Sequence, residues 1–159
     1  SRQSRGLGDV YKRQKYNNGL YVMKDLESII QQLPHLKKIC QDAILVPVPL
    51  HPTKFRERGF NQSQAFAQVL QKTLNANIQV KNILIRTRFT RSQTALSREQ
   101  RKQNIRNAFA LSANIKLDFE KKYILIDDVF TTGSTANACA KVLKKAGIQT
   151  IELITLGHG

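Results

Sequence analysis

The chain has 159 residues, 41% of them hydrophobic, with a slightly negative mean hydropathy: enough for one domain with a buried core, and with no apolar run near the ~20 residues of a membrane helix. Lys and Arg number 26 against 11 Asp and Glu, and the net charge of +15 attracts anions without choosing among nucleic acid, nucleotides, phosphosugars and acidic lipids; a basic surface with no ligand is the bland alternative. Two distant cysteines, Cys40 and Cys139, with no CxxC pair, and three histidines, His35, His51 and His158, without ligand spacing, argue against a disulfide framework or a zinc site.

Residues 1–14, SRQSRGLGDVYKRQ, have neither helical nor strand period and read as a translated adapter or tag, or else a disordered basic arm. Without them the charge is still +12. The N-terminus has no apolar central region of a secretory signal, which points to the cytoplasm. From residue 21 to 39 the apolar positions Val22, Leu26, Ile29, Ile30 and Leu33 follow a helical spacing, interrupted at Pro34. AILVPVP, residues 43–49, reads as a buried strand ending at prolines. Residues 60–74 read as a helix with Phe66, Val69, Leu70 and Leu74 inward, and NILIR, residues 82–86, as a short strand. Residues 87–96 have no period and read as a loop. Residues 97–107 form a polar, basic helix in which Ser97 and Gln100 make a capping box.

Residues 122–127, KYILID, read as a strand, 134–147 as a helix stopped by Gly147, and 149–156 as the last strand. Lys144 and Lys145 sit favourably near that helix's negative end, and Cys139 is a small core residue within it. Strands alternating with helices predict an α/β class with a mainly parallel sheet and no linker dividing the domain.

The most informative stretch is YILIDDVFTTGST, residues 123–135. In open α/β sheets the ligand sits beyond the carboxyl ends of the strands, where Asp127 and Asp128 fall. Thr131, Thr132, Gly133, Ser134 and Thr135 would wrap the next helix's N-terminus. There backbone N–H groups and the helix dipole favour a phosphate, and glycine lets the backbone approach closely. The carboxylates would accept from sugar hydroxyls, directly or through a hydrated Mg²⁺. A phosphate plus a vicinal diol fits a ribose 5-phosphate. Paired acids at a strand end also occur in phosphoacceptor and Walker B settings, but neither GxxxxGK[ST] nor GxGxxG is present.

ILIDDVFTTGST closely resembles the phosphoribosyl-diphosphate signature of type I phosphoribosyltransferases. VPVPLHPTKFRERGFNQS, residues 46–63, resembles the ComF family of competence-associated phosphoribosyltransferase-like proteins. So does the pattern of Arg86, Thr90, Gln93, Leu96, Ser97, Arg101, Asn104 and Phe109. The resemblance covers residues 15–159 and implies a three-layer phosphoribosyltransferase-type fold, phosphoribosyl diphosphate as ligand and Mg²⁺ held by Asp127 and Asp128 through water. The cysteine cluster, similar to a zinc module, that ComF-like chains often carry at the N-terminus is not in this sequence, and the natural N-terminus is expected to lie upstream.

The resemblance also implies a pyrophosphate loop at Leu50, His51, Pro52 and Lys54, acting through backbone amides. Arg56 and Arg58 are cations in that region, partly offset by Glu57; Gly59 and Asn61 shape the turn and start the helix. Residues 86–106 hold seven basic residues and one acid, Glu99. Their first half matches a mobile hood over the active site, with Arg86, Thr90, Gln93 and Arg98 as its candidate residues. A strip for single-stranded nucleic acid, with Phe89 stacking a base, and a solvated basic face are the other readings. Thr131 stands where hypoxanthine–guanine relatives carry an aspartate, so no catalytic acid or base is assigned. Two functions follow: a Mg²⁺-dependent ligand-binding module linked to DNA uptake, with single-stranded DNA or competence proteins as partners, or an active transferase moving ribose 5-phosphate to a base or amine.

Overall fold

Helix α1 (Leu20–Gln31) turns Leu26 and Ile30, one helical turn apart, into the core. The computed structural model describes residues 20–87, 97–100, 108–130 and 133–158. Pro34 ends the first helical run and begins a second, α2 (Pro34–Cys40), where its missing N–H costs nothing. Strand β1 (Ile44–Pro47) follows, buried at every position. Residues 52–58, read from sequence as loop, form a helix, α3 (Pro52–Arg58). Its punctuation is local. His51 Nδ1 accepts from the Thr53 N–H (3.2 Å), Pro52 opens the first turn, and Gly59 at φ 77° closes the last by donating to the Phe55 carbonyl (2.8 Å).

Helix α4 (Gln62–Leu74) starts at Asn61, whose Oδ1 accepts from the Ser63 N–H at 3.0 Å, as the sequence predicts for this residue. Strand β2 (Gln79–Val80) is only two residues long and has no signal of its own in the sequence. Strands β3 (Leu84–Arg86) and β4 (Phe109–Leu111) pair antiparallel as a separate ribbon, Arg86 opposite Phe109. Strand β5 (Tyr123–Phe130) runs three residues beyond the predicted end, because its neighbour continues alongside: Val129 pairs with Gly157 and Phe130 with His158. Helix α5 (Ser134–Lys145) and strand β6 (Ile151–His158) complete the chain. The end of α5 is a Schellman motif. Gly147, at φ 106°, donates to Lys144 (3.0 Å) and Ile148 to Leu143 (3.1 Å), while the Ile148 and Leu143 side chains are both buried.

The central sheet has the order β2-β1-β5-β6, with all three pairings parallel. Alternation along its strands sends side chains to two cores. Leu45, Ile124 and Ile126 face α1, α2 and α4 and pack with Phe66 and Leu70. Ile44, Val46, Tyr123 and Leu125 face α5 and the β3–β4 ribbon, packing with Cys139, Leu143 and Phe109. The expected single core is therefore split by the sheet, which gives the expected three layers. Both strands buried on two faces explain their continuous apolar runs. Cys40 and Cys139 are buried thiols, pushed by burial up to about 11 and about 12, which suits packing and not reactivity. Among the described residues no helix is long and apolar enough to cross a membrane.

Candidate functional site

The parallel register brings the exits of β1 and β5 side by side. Val48 donates to the Ile126 carbonyl at 2.8 Å, one residue before the carboxylate pair. The Val48 carbonyl in turn accepts from Asn61 Nδ2 at 3.1 Å. One side chain thus starts α4 and ties it to the carboxyl edge of the sheet.

Asp127 and Asp128 lie on that edge, both half-buried, and Asp127 Oδ1 accepts from the Asp128 N–H at 2.8 Å. Burial pushes the Asp127 carboxyl up, to about 7, helped by the hydrogen bond and charge of the Asp128 carboxyl; the Asp128 N–H and the Arg86 guanidinium pull the other way. Two carboxylates in a partly dry site repel, so the pair is a place where a cation relieves a cost. Arg86 supplies part of that relief. Its guanidinium carbon lies 5.3 Å from the centre of the Phe109 ring, across the β3–β4 pair, and its field reaches Asp127. The sequence places Arg86 at the root of the hood. Its link to Asp127 is invisible there, because it depends on a ribbon whose strands lie more than twenty residues apart.

Beyond β5, Gly133 is the N-cap of α5 and takes φ 78°, the left-handed conformation that glycine tolerates best. Its carbonyl accepts from Asn137 at 2.8 Å. Among the described residues no side chain caps the helix and no acid lies in its first turn, so no carboxylate of that turn offsets its positive end. Ser134 and Thr135, half-buried, form that first turn. Thr131 and Thr132 lie outside the described residues.

The other predicted residues are placed more loosely. Leu50 and His51 lie at the exit of β1, and Pro52 and Lys54 fall in the first turn of α3. Between and beside these positions, the Thr53 N–H donates to the His51 ring and the Phe55 N–H to the His51 carbonyl (3.0 Å). Both are thus engaged within the helix. Arg98 is exposed in a helical turn begun by the predicted capping box: Ser97 donates to Gln100 Oε1 (3.0 Å) and Gln100 to Ser97 Oγ (3.2 Å). Thr90, Gln93, Leu96, Arg101 and Asn104 lie outside the described residues, as do residues 1–14. Among the described residues no cluster of three or more His, Cys, Asp or Glu forms.

A parallel sheet between helices on one side and a helix plus ribbon on the other, with a carboxylate pair and a glycine-led helix on its carboxyl edge, is a phosphoribosyltransferase-type fold. A solved hypoxanthine phosphoribosyltransferase from Staphylococcus aureus superposes on 84% of the chain and 62% of its own, with TM-score 0.52 at 15% identity. No family model matches the chain. Competence protein F of Haemophilus influenzae is 31% identical over 152 residues, and Competence protein ComFC of Streptococcus pneumoniae is 26% identical over 153 residues. These alignments cover 92% and 96% of the chain, which spans 66% and 64% of the relatives' own lengths, just under two-thirds. The chain belongs to the ComF family of competence-associated, phosphoribosyltransferase-like proteins.

Proposed function

We propose that the chain binds phosphoribosyl diphosphate with Mg²⁺, within a protein that serves DNA uptake. The observation that carries this reading is the pairing, on one sheet edge, of two carboxylates with an uncapped helix N-terminus opened by Gly133. The helix end offers N–H donors and a positive dipole to the 5-phosphate. The carboxylates accept from the ribose hydroxyls. Asp127 and Asp128 are also the residues that would hold Mg²⁺. Two carboxylates suit this ion, which keeps most of its waters and takes its other ligands from phosphates. When bound, the ion supplies positive charge against the diphosphate. Asp127's own contribution is to give up its proton, and Arg86 helps it do so. The net charge of +15 and the competence role in the relatives' names support the DNA-uptake setting.

Calorimetric titration with phosphoribosyl diphosphate tests the reading. Saturable binding in Mg²⁺ buffer, weakened about tenfold or more in excess chelator, is the expected result. Absence of binding in both buffers removes the proposal. Turnover with an added base would move the account to its alternative, an active transferase.

A further inference from the structure

Residues 49–60 leave the sheet at the end of β1, form α3 and return at the start of α4. Among the described residues of this excursion none is buried and none joins either core. Leu50 and His51 are half-buried, while Pro52, Phe55, Arg56 and Phe60 are exposed. Helix α3 is closed at both ends by its own residues, His51 and Gly59, so it is a preformed unit. Burial in a core does not fix that unit against the sheet, and hydrogen bonds at the root of the excursion do. Asn61 Nδ2 donates to the Val48 carbonyl (3.1 Å), and Asn61 Oδ1 accepts from the Ser63 N–H (3.0 Å). The line of bonds continues into the site. The Val48 N–H reaches the Ile126 carbonyl at 2.8 Å, and Ile126 directly precedes Asp127.

We propose that Asn61 is a positioning residue: its carboxamide holds the 49–60 excursion at the exit of β1 and so makes the neighbouring site prefer a sugar that carries a diphosphate over one that does not. Capping α4 needs only an acceptor oxygen, and Ser, Thr or Asp would supply it. The tie to Val48 needs an N–H as well. Among the good N-cap residues Asn alone carries an acceptor and a donor on separate, diverging atoms. The excursion holds Lys54, Arg56 and Arg58 against Glu57, a positive balance suited to a second anionic group. β1 and β5 are paired neighbours, about 4.8 Å apart, so a sugar with anions at both ends can reach from one exit to the other. A segment ordered before the ligand arrives does not charge its ordering entropy to binding. The inference rests on the phosphosugar reading and names the residue that sets its selectivity.

The test compares wild type with Asn61→Ser, whose single oxygen, one bond shorter, keeps the cap and does not reach Val48. Phosphoribosyl diphosphate and ribose 5-phosphate are each titrated calorimetrically in Mg²⁺ buffer. The variant should bind phosphoribosyl diphosphate about fivefold more weakly or worse, the scale of one net hydrogen bond, with its affinity for ribose 5-phosphate held. A general loss of folded protein would weaken both ligands alike. Exchange of the Val48 amide, followed by NMR without ligand, should accelerate in the variant while the amides of Leu70 and Leu125 keep their protection. Asn61→Thr, with the same cap oxygen, takes the place of Asn61→Ser if that variant does not fold. Undiminished affinity for phosphoribosyl diphosphate, or an equal loss of both ligands, overturns the positioning role. If wild type binds neither sugar, the phosphosugar reading falls and the tie is judged on exchange alone: faster Val48 exchange supports it, and unchanged exchange removes it.

Discussion

Replacing both carboxylates, Asp127→Asn with Asp128→Asn, is expected to abolish the response to phosphoribosyl diphosphate and Mg²⁺ while making the ligand-free protein more stable at pH 8. The two effects share one cause. The folded-state pKa of Asp127 is raised from 3.8 to about 7, chiefly by burial and then by Asp128. Between those values the native state holds a proton that the unfolded state has lost. The stability this carboxyl contributes is therefore complete below about pH 4 and is lost as pH rises through about 7. At pH 8 the wild type holds Asp127 ionised in its partly dry site, which through burial and then the neighbouring Asp128 costs on the order of a few kcal/mol, and the amide variant does not. The wild type should lose stability from pH 5 to pH 8 more steeply than the variant. Ligand binding should run the other way and tighten over the same interval, because a metal needs the ionised form. Melting curves at several pH values check both signs. A double variant with wild-type stability at pH 8 and undiminished ligand affinity would remove both carboxylates from the site.

Phe66→Ala should be the most damaging single truncation away from the site. Phe66 is 2% exposed, in the core shared by α4, α1 and the sheet, where Leu70 and Ile126 surround it. Removing a buried phenyl ring costs about 3–5 kcal/mol through lost burial and the cavity left behind. For a domain of this size that lowers the melting temperature by roughly 10 °C. Phe55→Ala is the contrast: a half-exposed ring whose loss should change stability by about 0.5 kcal/mol or less. Urea denaturation of the two variants separates them. Equal midpoints would mean that the α4 face is not the main core.

What the sequence discloses here follows how local each signal is. ILVP and YILI are legible because both faces of β1 and β5 are buried, which leaves no polar alternation to confuse the pattern. The Ser97–Gln100 capping box and the Asn61 cap are legible because each spans no more than three residues. Helix α3 is hidden for the opposite reason. Pro52, Phe55, Arg56 and Glu57 are all exposed, so no apolar stripe marks the helix, and only its Pro and Gly punctuation remained to be read. Strands β2, β3 and β4 are two or three residues long and exist through their partners. The carboxylate pair was legible as a motif. The pull of Arg86 on Asp127 and the tie from Asn61 to Val48 were not, since both join segments distant in sequence.

Thermal unfolding with and without phosphoribosyl diphosphate plus Mg²⁺ decides whether the carboxylate pair and the Gly133 helix hold this ligand. At 100 times its dissociation constant the ligand should add roughly 2.7 kcal/mol of stability, a rise of several degrees. That rise is expected in Mg²⁺ and not in excess chelator. An unchanged melting temperature with phosphoribosyl diphosphate, and with ribose 5-phosphate as well, would contradict it and leave the carboxylate pair and the Gly133 helix as scaffold alone.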